Sequence, residues 1–174
     1  MKRILLKLII CFFFSMPVIA QVTVDVFDIA RKGTVAEAEI IIKTNPNAFN
    51  VVNAEGNSPL ILACYRSNNE VAKLLVSKGV NINSSSAMGT ALMAAVVKGN
   101  NEIAKLLVEN KADINAADAN GTTALIYAVM FKNKELIELF LKNKADKSKV
   151  DKQGKTAFEY AVFSGREDII NLLK

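Results

Sequence analysis

Two stretches of this sequence repeat one another, SNNEVAKLLVSKGVNIN at residues 67–83 and GNNEIAKLLVENKADIN at residues 99–115. Ten of the seventeen aligned positions are identical, and the second stretch begins thirty-two residues after the first. Most of the other positions differ by mild exchanges. A match of this kind at a fixed distance indicates an internal structural repeat. The period and the number of copies then define the class of fold.

The pattern extends through four copies, at residues 56–83, 89–115, 121–148 and 154–174. Each copy has an apolar anchor, an alanine three residues later and an apolar pair fourteen residues after the anchor. The anchors are Leu60, Leu92, Leu125 and Phe158; the alanines are Ala63, Ala95, Ala128 and Ala161; the pairs begin at Leu74, Leu106, Leu139 and Leu172. Because the anchors are 32, 33 and 33 residues apart, the sequence predicts a solenoid.

Each copy carries the signals of two short helices. A hydroxyl side chain that can cap a helix precedes each apolar run, and the capping residues are Ser58, Thr90, Thr123 and Thr156. Pro59 follows at a first helical position, where it is tolerated. The first helix is expected to end near Arg66, Lys98 or Phe131, and Gly99 and Gly165 favour a tight turn after it. Helices this short are unstable alone, so each unit must pack on the next.

Gly79 favours a left-handed residue at the end of a second helix. Lys111 and Lys144 stand at the corresponding positions of the next two copies. Either these lysines adopt the left-handed conformation at a cost, or Asn110 and Asn143 adopt it instead. The sequence leaves both alternatives open.

These residues resemble the ankyrin repeat family, and the motifs that carry the resemblance are GTTALIYA with LKNKADKS and GNSPLILA with SKGVNIN. The resemblance covers about residues 53–174, and VFDIARKGTVAEAEIIIKTNPNAFNVV at 26–52 fits as a degenerate first repeat, with Ile40 and Ile41 as its apolar pair. It implies an all-α ankyrin-repeat solenoid of about five helix-turn-helix units joined by β-turn or hairpin-like loops. The implied domain spans 21–174, with repeats at approximately 22–52, 53–85, 86–117, 118–150 and 151–174.

One departure from the family concerns the loops. The family's histidine after the anchor is replaced by Ile61, Met93, Ile126 and Glu159. We therefore expect the loops to lack the hydrogen bonds that this histidine makes between neighbouring repeats.

The first twenty residues, MKRILLKLIICFFFSMPVIA, have the basic start, apolar centre and small-residue end of a secretory signal peptide. The prediction is cleavage after Ala20 and export to a periplasmic or secreted location. The alternative is an uncleaved segment that tethers the array to a membrane as a structural scaffold, although the apolar run is short and contains Lys7. Only in that case do we expect contact with a membrane.

Removal of this segment leaves 22 − 3 = 19 basic residues against 17 acidic ones, a net charge of +2. This is not the charge balance of a nucleic-acid-binding domain, so no nucleic-acid partner is predicted. The chain has no histidine, and Cys64 is the one cysteine after residue 20. No catalytic residue, metal site or cofactor is therefore predicted. We interpret Cys64 as a small core residue rather than a reactive thiol, and the repeated Asp113, Asp118 and Asp146 as loop-forming residues.

The resemblance implies a protein-binding role for the concave side, made of the first helices and the turn tips. The column of variable residues after the alanines consists of Tyr65, Arg66, Val97, Lys98, Met130, Phe131, Phe163 and Ser164. A second strip at the turn tips consists of Asn57, Thr122 and Lys155, with Glu55, Gly89, Asn120 and Gln153 beside them. Large apolar side chains at exposed positions are common anchors of protein interfaces. The alternative is that some of them, Phe131 especially, lie between helices as core.

Eight lysines and four acidic residues lie between Lys132 and Lys155. This segment either is ordinary solvated surface or favours an acidic partner. Together these features predict a noncatalytic module that binds another protein, possible roles being inhibition or protection of an envelope protein.

Overall fold

The computed structural model describes residues 25–174, so the predicted signal segment at 1–20 lies outside the described residues. Ten α-helices follow one another in pairs over this range. The first helices of the pairs are α1 (Val26–Lys32), α3 (Pro59–Tyr65), α5 (Ala91–Val97), α7 (Ala124–Met130) and α9 (Ala157–Ser164). The second helices are α2 (Val35–Thr44), α4 (Asn69–Ser77), α6 (Asn101–Glu109), α8 (Lys134–Lys142) and α10 (Glu167–Leu173). Five pairs confirm the predicted number of units.

The predicted hydroxyl caps are confirmed in all four copies. Ser58 Oγ accepts a hydrogen bond from the backbone N–H of Ile61, and Thr90, Thr123 and Thr156 cap their helices in the same way. Three of the second helices have an asparagine, rather than a serine or threonine, at the N-cap position. These asparagines are Asn68, Asn100 and Asn133. Asn100 and Asn133 cap their own helices, whereas Asn68 binds another unit.

The ends of the second helices decide between the two alternatives for the lysines. Lys111 and Lys144 have φ values of +66° and +63°, close to the +73° of Gly79. Asn110 and Asn143 keep negative φ values and donate their Nδ2 atoms to carbonyls one turn earlier, at 2.8 Å each. The lysines therefore occupy the left-handed position, at a backbone cost that glycine does not have.

The helices form two layers. Each first helix packs on the first helices of the neighbouring units, which makes an inner layer, and the second helices make an outer layer. The anchors Leu60, Leu92 and Leu125 are buried between them. The alanines three residues later are fully buried, so adjacent inner helices approach closely. No helix of the described residues is both long and apolar enough to cross a membrane.

Cys64 lies in this core with 1% of its surface exposed, which confirms its interpretation as a core residue. Burial raises the pKa of its thiol to about 12. The thiolate, which is the nucleophilic form, is therefore almost absent near neutral pH.

The loops between pairs are hairpin-like, as predicted. One is a two-stranded hairpin of β1 (Ser85–Ser86) and β2 (Gly89–Thr90), and single antiparallel bridges join Ala117 to Thr123 and Val150 to Thr156. Asp118 Oδ1 accepts the backbone N–H groups of Asn120 and Thr122, which confirms the loop-forming role of that aspartate.

Neighbouring loops are joined by hydrogen bonds from groups other than the family's histidine, which this chain lacks. The backbone N–H of Asp113 donates to Asn83 Oδ1 at 2.8 Å, and that of Asp146 donates to Asn115 Oδ1 at 2.7 Å. The Lys152 N–H also donates to the carbonyl of Asn120 at 2.8 Å. Asparagine side chains and backbone groups thus hold adjacent loops in register.

The first unit departs from the expected pattern. Ile40 is 62% exposed and Ile41 only partly buried, so this pair does not enter the core as Leu75, Leu107 and Phe140 do in later copies. Instead Asn68 ties the unit to its neighbour, because its Nδ2 donates to the carbonyl oxygens of Ile29, Ala30 and Gly33.

Candidate functional site

Two adjoining recesses lie on the inner layer near the C-terminal end of the array. The first has a volume of about 430 Å³, and its lining residues are Val129, Met130, Lys132, Tyr160, Phe163 and Ser164. The second has a volume of about 260 Å³, and its lining residues are Asn120, Thr122, Tyr127, Met130, Asp151, Lys152, Gln153 and Tyr160. Met130 and Tyr160 line both recesses, so the two form one groove between α7, α9 and the turn tips. We call it the inner-face groove.

Two tyrosine–aspartate pairs support its walls, and three of their residues, Tyr127, Tyr160 and Asp151, line it. The Tyr127 hydroxyl donates to Asp118 Oδ2 at 2.7 Å, and the Tyr160 hydroxyl donates to Asp151 Oδ2 at 2.5 Å. Burial, followed by the hydrogen bond and negative charge of Asp118, raises the pKa of Tyr127 to about 12. The bond from Tyr160 lowers the pKa of Asp151 below its ordinary value. Asp151 is therefore charged at neutral pH, and the hydrogen bonds to the two aspartates hold both tyrosine rings in place.

Large apolar side chains stand at the surface beside this groove. Met130 is 46% exposed, Phe131 52% and Phe163 91%. The Phe131 ring stacks on the ring of Tyr127, with their centroids 6.3 Å apart. The alternative that Phe131 is a core residue is therefore wrong, since half of its surface is accessible.

Lysines surround the same surface. Lys132 and Lys152 line the two recesses, and the Lys155 Nζ lies 5.6 Å from the centre of the Tyr160 ring. Other lysines of the predicted basic segment are engaged elsewhere: Lys134 pairs with Glu138, and Lys147 donates to the carbonyls of the last two residues. The basic segment is thus divided, and only part of it faces the groove.

The structure brings some of the predicted site residues together and separates others. Met130, Phe163 and Ser164 share one recess, and Thr122 lines the adjoining one. Phe131 and Lys155 contact the two tyrosines of the groove, Tyr127 and Tyr160. The earlier members of the column lie outside the groove lining, on α3, α5 and their C-terminal caps. They are Tyr65, Arg66, Val97 and Lys98. Of these, Lys98 Nζ lies 5.0 Å from the centre of the Tyr65 ring.

Two residues of the turn-tip strip are less exposed than expected. Asn57 and Thr122 were expected at the accessible tips, but they are only 6% and 7% exposed. The backbone N–H of each donates to the turn's Asn53 or Asp118 Oδ1, which places both residues on the returning arm rather than at the tip. Lys155 has the equivalent bond to Asp151, but its long side chain reaches solvent.

Tyr127 and Tyr160 were missed by the sequence prediction. Each follows its anchor by two residues and its aspartate by nine, and the two pairs are 33 residues apart. This spacing was visible in the sequence. It indicates an equivalent tyrosine–aspartate contact in each of the last two units. Leu62 and Ala94, at the corresponding positions of the earlier units, cannot make this contact.

A larger recess of about 620 Å³ lies on the outer layer between α4 and α6. Its charged groups bind one another: Lys73 Nζ lies 3.0 Å from Glu70 and 2.8 Å from Glu102. The hydrogen bond that Lys73 donates to Glu102, then the one it donates to Glu70, raises the pKa of Lys73. Because these charges are already paired, the outer recess is a weaker candidate for binding than the inner-face groove.

The described residues contain no group of three histidine, cysteine, aspartate or glutamate side chains arranged to hold a metal ion. The groups that they expose around the open groove are aromatic rings, a thioether and ammonium groups, which are suited to non-covalent contacts. An array of stacked helix pairs with such a groove on one layer belongs to the class of repeat-built binding proteins.

The family model described as Ankyrin repeats (3 copies) matches residues 27–118 and again residues 115–174. The chain therefore belongs to the ankyrin repeat family. Ankyrin repeat domains are typically noncatalytic modules that bind other proteins. None of the curated proteins matches this chain.

Proposed function

We propose that this protein is an exported, noncatalytic module that binds a partner protein through the inner-helix face. The observation that carries the proposal is the group of large apolar side chains, Met130, Phe131 and Phe163, held at the surface beside the inner-face groove. Exposed aromatic and methionine side chains are enriched at protein interfaces, where their burial supplies much of the binding free energy.

The fold supports this use of the surface. The rings of Tyr127 and Tyr160 are fixed by hydrogen bonds, so the groove is preorganised and a ligand has little side-chain entropy to remove. Ankyrin repeats serve protein–protein interaction in general, and the distribution of exposed apolar groups favours the inner layer of the last two units.

A triple substitution tests the proposal. Met130, Phe131 and Phe163 are each changed to serine in one variant, and Ile40→Ser serves as the control because Ile40 is an exposed apolar residue of the outer layer. We expect the triple variant to lose the proteins that the unaltered chain captures after crosslinking in its native cell envelope, while Ile40→Ser keeps them. Circular dichroism should be unchanged for both. Capture that is the same in all three proteins contradicts the proposal.

Export is the second part of the proposal and rests on residues 1–20. Intact mass of the protein purified from its native cells should place the mature N-terminus at Gln21. A full-length mass in the membrane fraction supports instead the alternative of a membrane-tethered scaffold. Within the exported reading, the role we propose is inhibition or protection of an envelope protein, since a module without catalytic groups acts by covering its partner's surface.

A further inference from the structure

We propose that the inner-face groove binds an acidic segment of a partner protein, which places one bulky apolar side chain between Met130 and Phe163. This inference rests on the proposed function and adds the chemistry of the segment that is bound. It follows from three features of the groove: its apolar recess, the state of its carboxylates and the position of its lysines.

The recess between α7 and α9 supplies the apolar site. Its volume of about 430 Å³ lies within the range that holds a small ligand or a side chain with its backbone. Phe163 is 91% exposed and Met130 46%, so nearly all of the Phe163 surface and almost half of the Met130 surface are free for contact. A bulky apolar side chain inserted here would bury apolar area of both, which favours binding.

The carboxylate that lines the groove, Asp151, and the neighbouring Asp118 already accept several hydrogen bonds each. Asp151 accepts the backbone N–H groups of Gln153 and Lys155 and the hydroxyl of Tyr160. Asp118 likewise accepts two backbone N–H groups and the hydroxyl of Tyr127. These two negative charges are therefore directed into the turns, and a cationic ligand finds no free carboxylate there.

In contrast to these carboxylates, the two lysines that line the groove have no charged partner within the part of the chain that the structure describes. Lys132 lines the apolar recess and Lys152 the neighbouring one, and both are exposed. Neither forms an ion pair with any of residues 25–174. The Lys155 ammonium lies over the Tyr160 ring. An apolar recess flanked by unpaired ammonium groups is complementary to an apolar side chain flanked by carboxylates.

A polypeptide fits this surface better than a nucleic acid does. From residue 21 onward the chain carries 19 basic and 17 acidic residues, which is too balanced for a phosphate-binding surface. The lysines also border the two adjoining recesses of one groove rather than a track along the array. The occupant is therefore identified by its side chains: aspartate or glutamate around one large apolar residue.

Selection from a random peptide library displayed on phage, with the full chain immobilised, tests the inference directly. We expect the enriched peptides to contain several acidic residues around a phenylalanine, leucine, isoleucine or methionine. Synthetic versions should bind less tightly when NaCl is raised from about 0.05 M to about 0.3 M, because exposed charge pairs are screened by salt. They should bind at least about tenfold less tightly when the apolar residue is replaced by alanine.

Charge reversal then locates the site. The variant with Lys132→Glu and Lys152→Glu should bind the selected peptides at least about tenfold less tightly than the unaltered chain. The matched control carries Lys43→Glu and Lys78→Glu, which reverses two exposed lysines of the outer layer and gives the same net charge. It should bind normally, and all three proteins should show the same circular dichroism.

Three results overturn the inference: enrichment of neutral or basic peptides, equal loss of binding in the control variant, or tighter binding of a single-stranded oligonucleotide probe than of any selected peptide. The first two leave the proposed function intact if the serine triple variant still loses its captured proteins. If the triple variant keeps them, the proposed function fails as well, so the two failures are distinguishable.

Discussion

The hydroxyl of Tyr160 donates a 2.5 Å hydrogen bond to Asp151 Oδ2, and this bond joins an inner helix to the turn that precedes it. The other oxygen of Asp151 accepts two backbone N–H groups of the same turn. One carboxylate therefore holds both the shape of the turn and the position of a ring that lines the groove. The same arrangement occurs one unit earlier between Tyr127 and Asp118.

The contribution of the Tyr160–Asp151 bond should depend on pH at both ends of the range. The bond lowers the pKa of Asp151, so its stabilisation is present above the unfolded value near 3.8 and is lost as the pH falls below it. It raises the pKa of Tyr160, so its stabilisation is present below about 10.0 and is lost as the pH rises further. The difference in unfolding free energy between the unaltered chain and Tyr160→Phe should be constant between these limits and smaller outside them. Urea unfolding at several pH values measures it, and a difference independent of pH contradicts the assignment.

Loss of the equivalent hydroxyl at Tyr127 should destabilise the array. We expect Tyr127→Phe to lower the free energy of unfolding by about 1 kcal/mol, because a partly buried carboxylate loses a charge-assisted bond. Tyr65→Phe is the matched control, since the Tyr65 hydroxyl has no hydrogen-bond partner among residues 25–174. Its unfolding free energy should be unchanged within error, and equal losses in both variants would show that the bond contributes nothing specific.

The left-handed lysines offer a route to a more stable protein. Lys111→Gly should raise the free energy of unfolding by about 0.5 to 1 kcal/mol. Glycine adopts φ near +66° without the strain that lysine has there, and this gain exceeds the additional backbone entropy that glycine loses on folding. The reverse change, Gly79→Lys, should lower stability by a similar amount. A Cβ at Gly79 meets no atom within 4 Å, so its cost comes from the backbone alone. Chemical denaturation measures both, and a change of the same sign in the two variants refutes this explanation.

The link between the first two units depends on Asn68. Its amide donates to three carbonyl oxygens of the first unit, so Asn68→Ala should release α1 and α2 by local opening. Asn68→Asp should have a larger effect, because it turns a carboxylate toward the same carbonyls. Hydrogen exchange should show faster exchange at 26–44 in both variants, with α7 to α10 unchanged as the internal control. Uniform acceleration along the chain would mean that the units do not open separately.

One buried amide is unsatisfied, and the equivalent position of a later unit indicates how to remove it. Asn57 Oδ1 is buried and accepts no hydrogen bond within the described residues. Threonine occupies the corresponding position 122, also buried. We expect Asn57→Thr to raise the free energy of unfolding by about 1 kcal/mol and Thr122→Asn to lower it. Thermal unfolding of the pair measures the two shifts, and a destabilised Asn57→Thr protein would show that the amide has a partner after all.

The spacing of the anchors and alanines was sufficient to predict the fold. Side chains such as Leu92 and Ala95 recur because each unit presents the same packing surface to its neighbours. The need for an apolar anchor and a small residue after it is therefore repeated along the chain and can be seen in one sequence. The capping hydroxyls were predictable for the same reason. Which of Asn110 and Lys111 adopts the left-handed conformation was not predictable. Moving that conformation by one residue at a helix end changes the backbone energy by an amount too small to leave a pattern in the sequence.

The candidate site was only partly predictable. The exposure of Met130, Phe131 and Phe163 agrees with their expected place in the column, although their contact with a partner stays a prediction. The burial of Asn57 and Thr122 depends on how the turn returns toward the helix, which position in the repeat does not specify. Tyr127 and Tyr160 were missed, although each follows an aspartate by nine residues in two successive units.

The position of the groove has a thermodynamic consequence. Its walls come from two successive units, with Met130 on α7 and Tyr160 on α9. Whenever the helix pair α9–α10 opens, one wall separates from the other and the groove is lost. A bound ligand therefore suppresses that opening by mass action and stabilises the packing of this pair on α7 and α8.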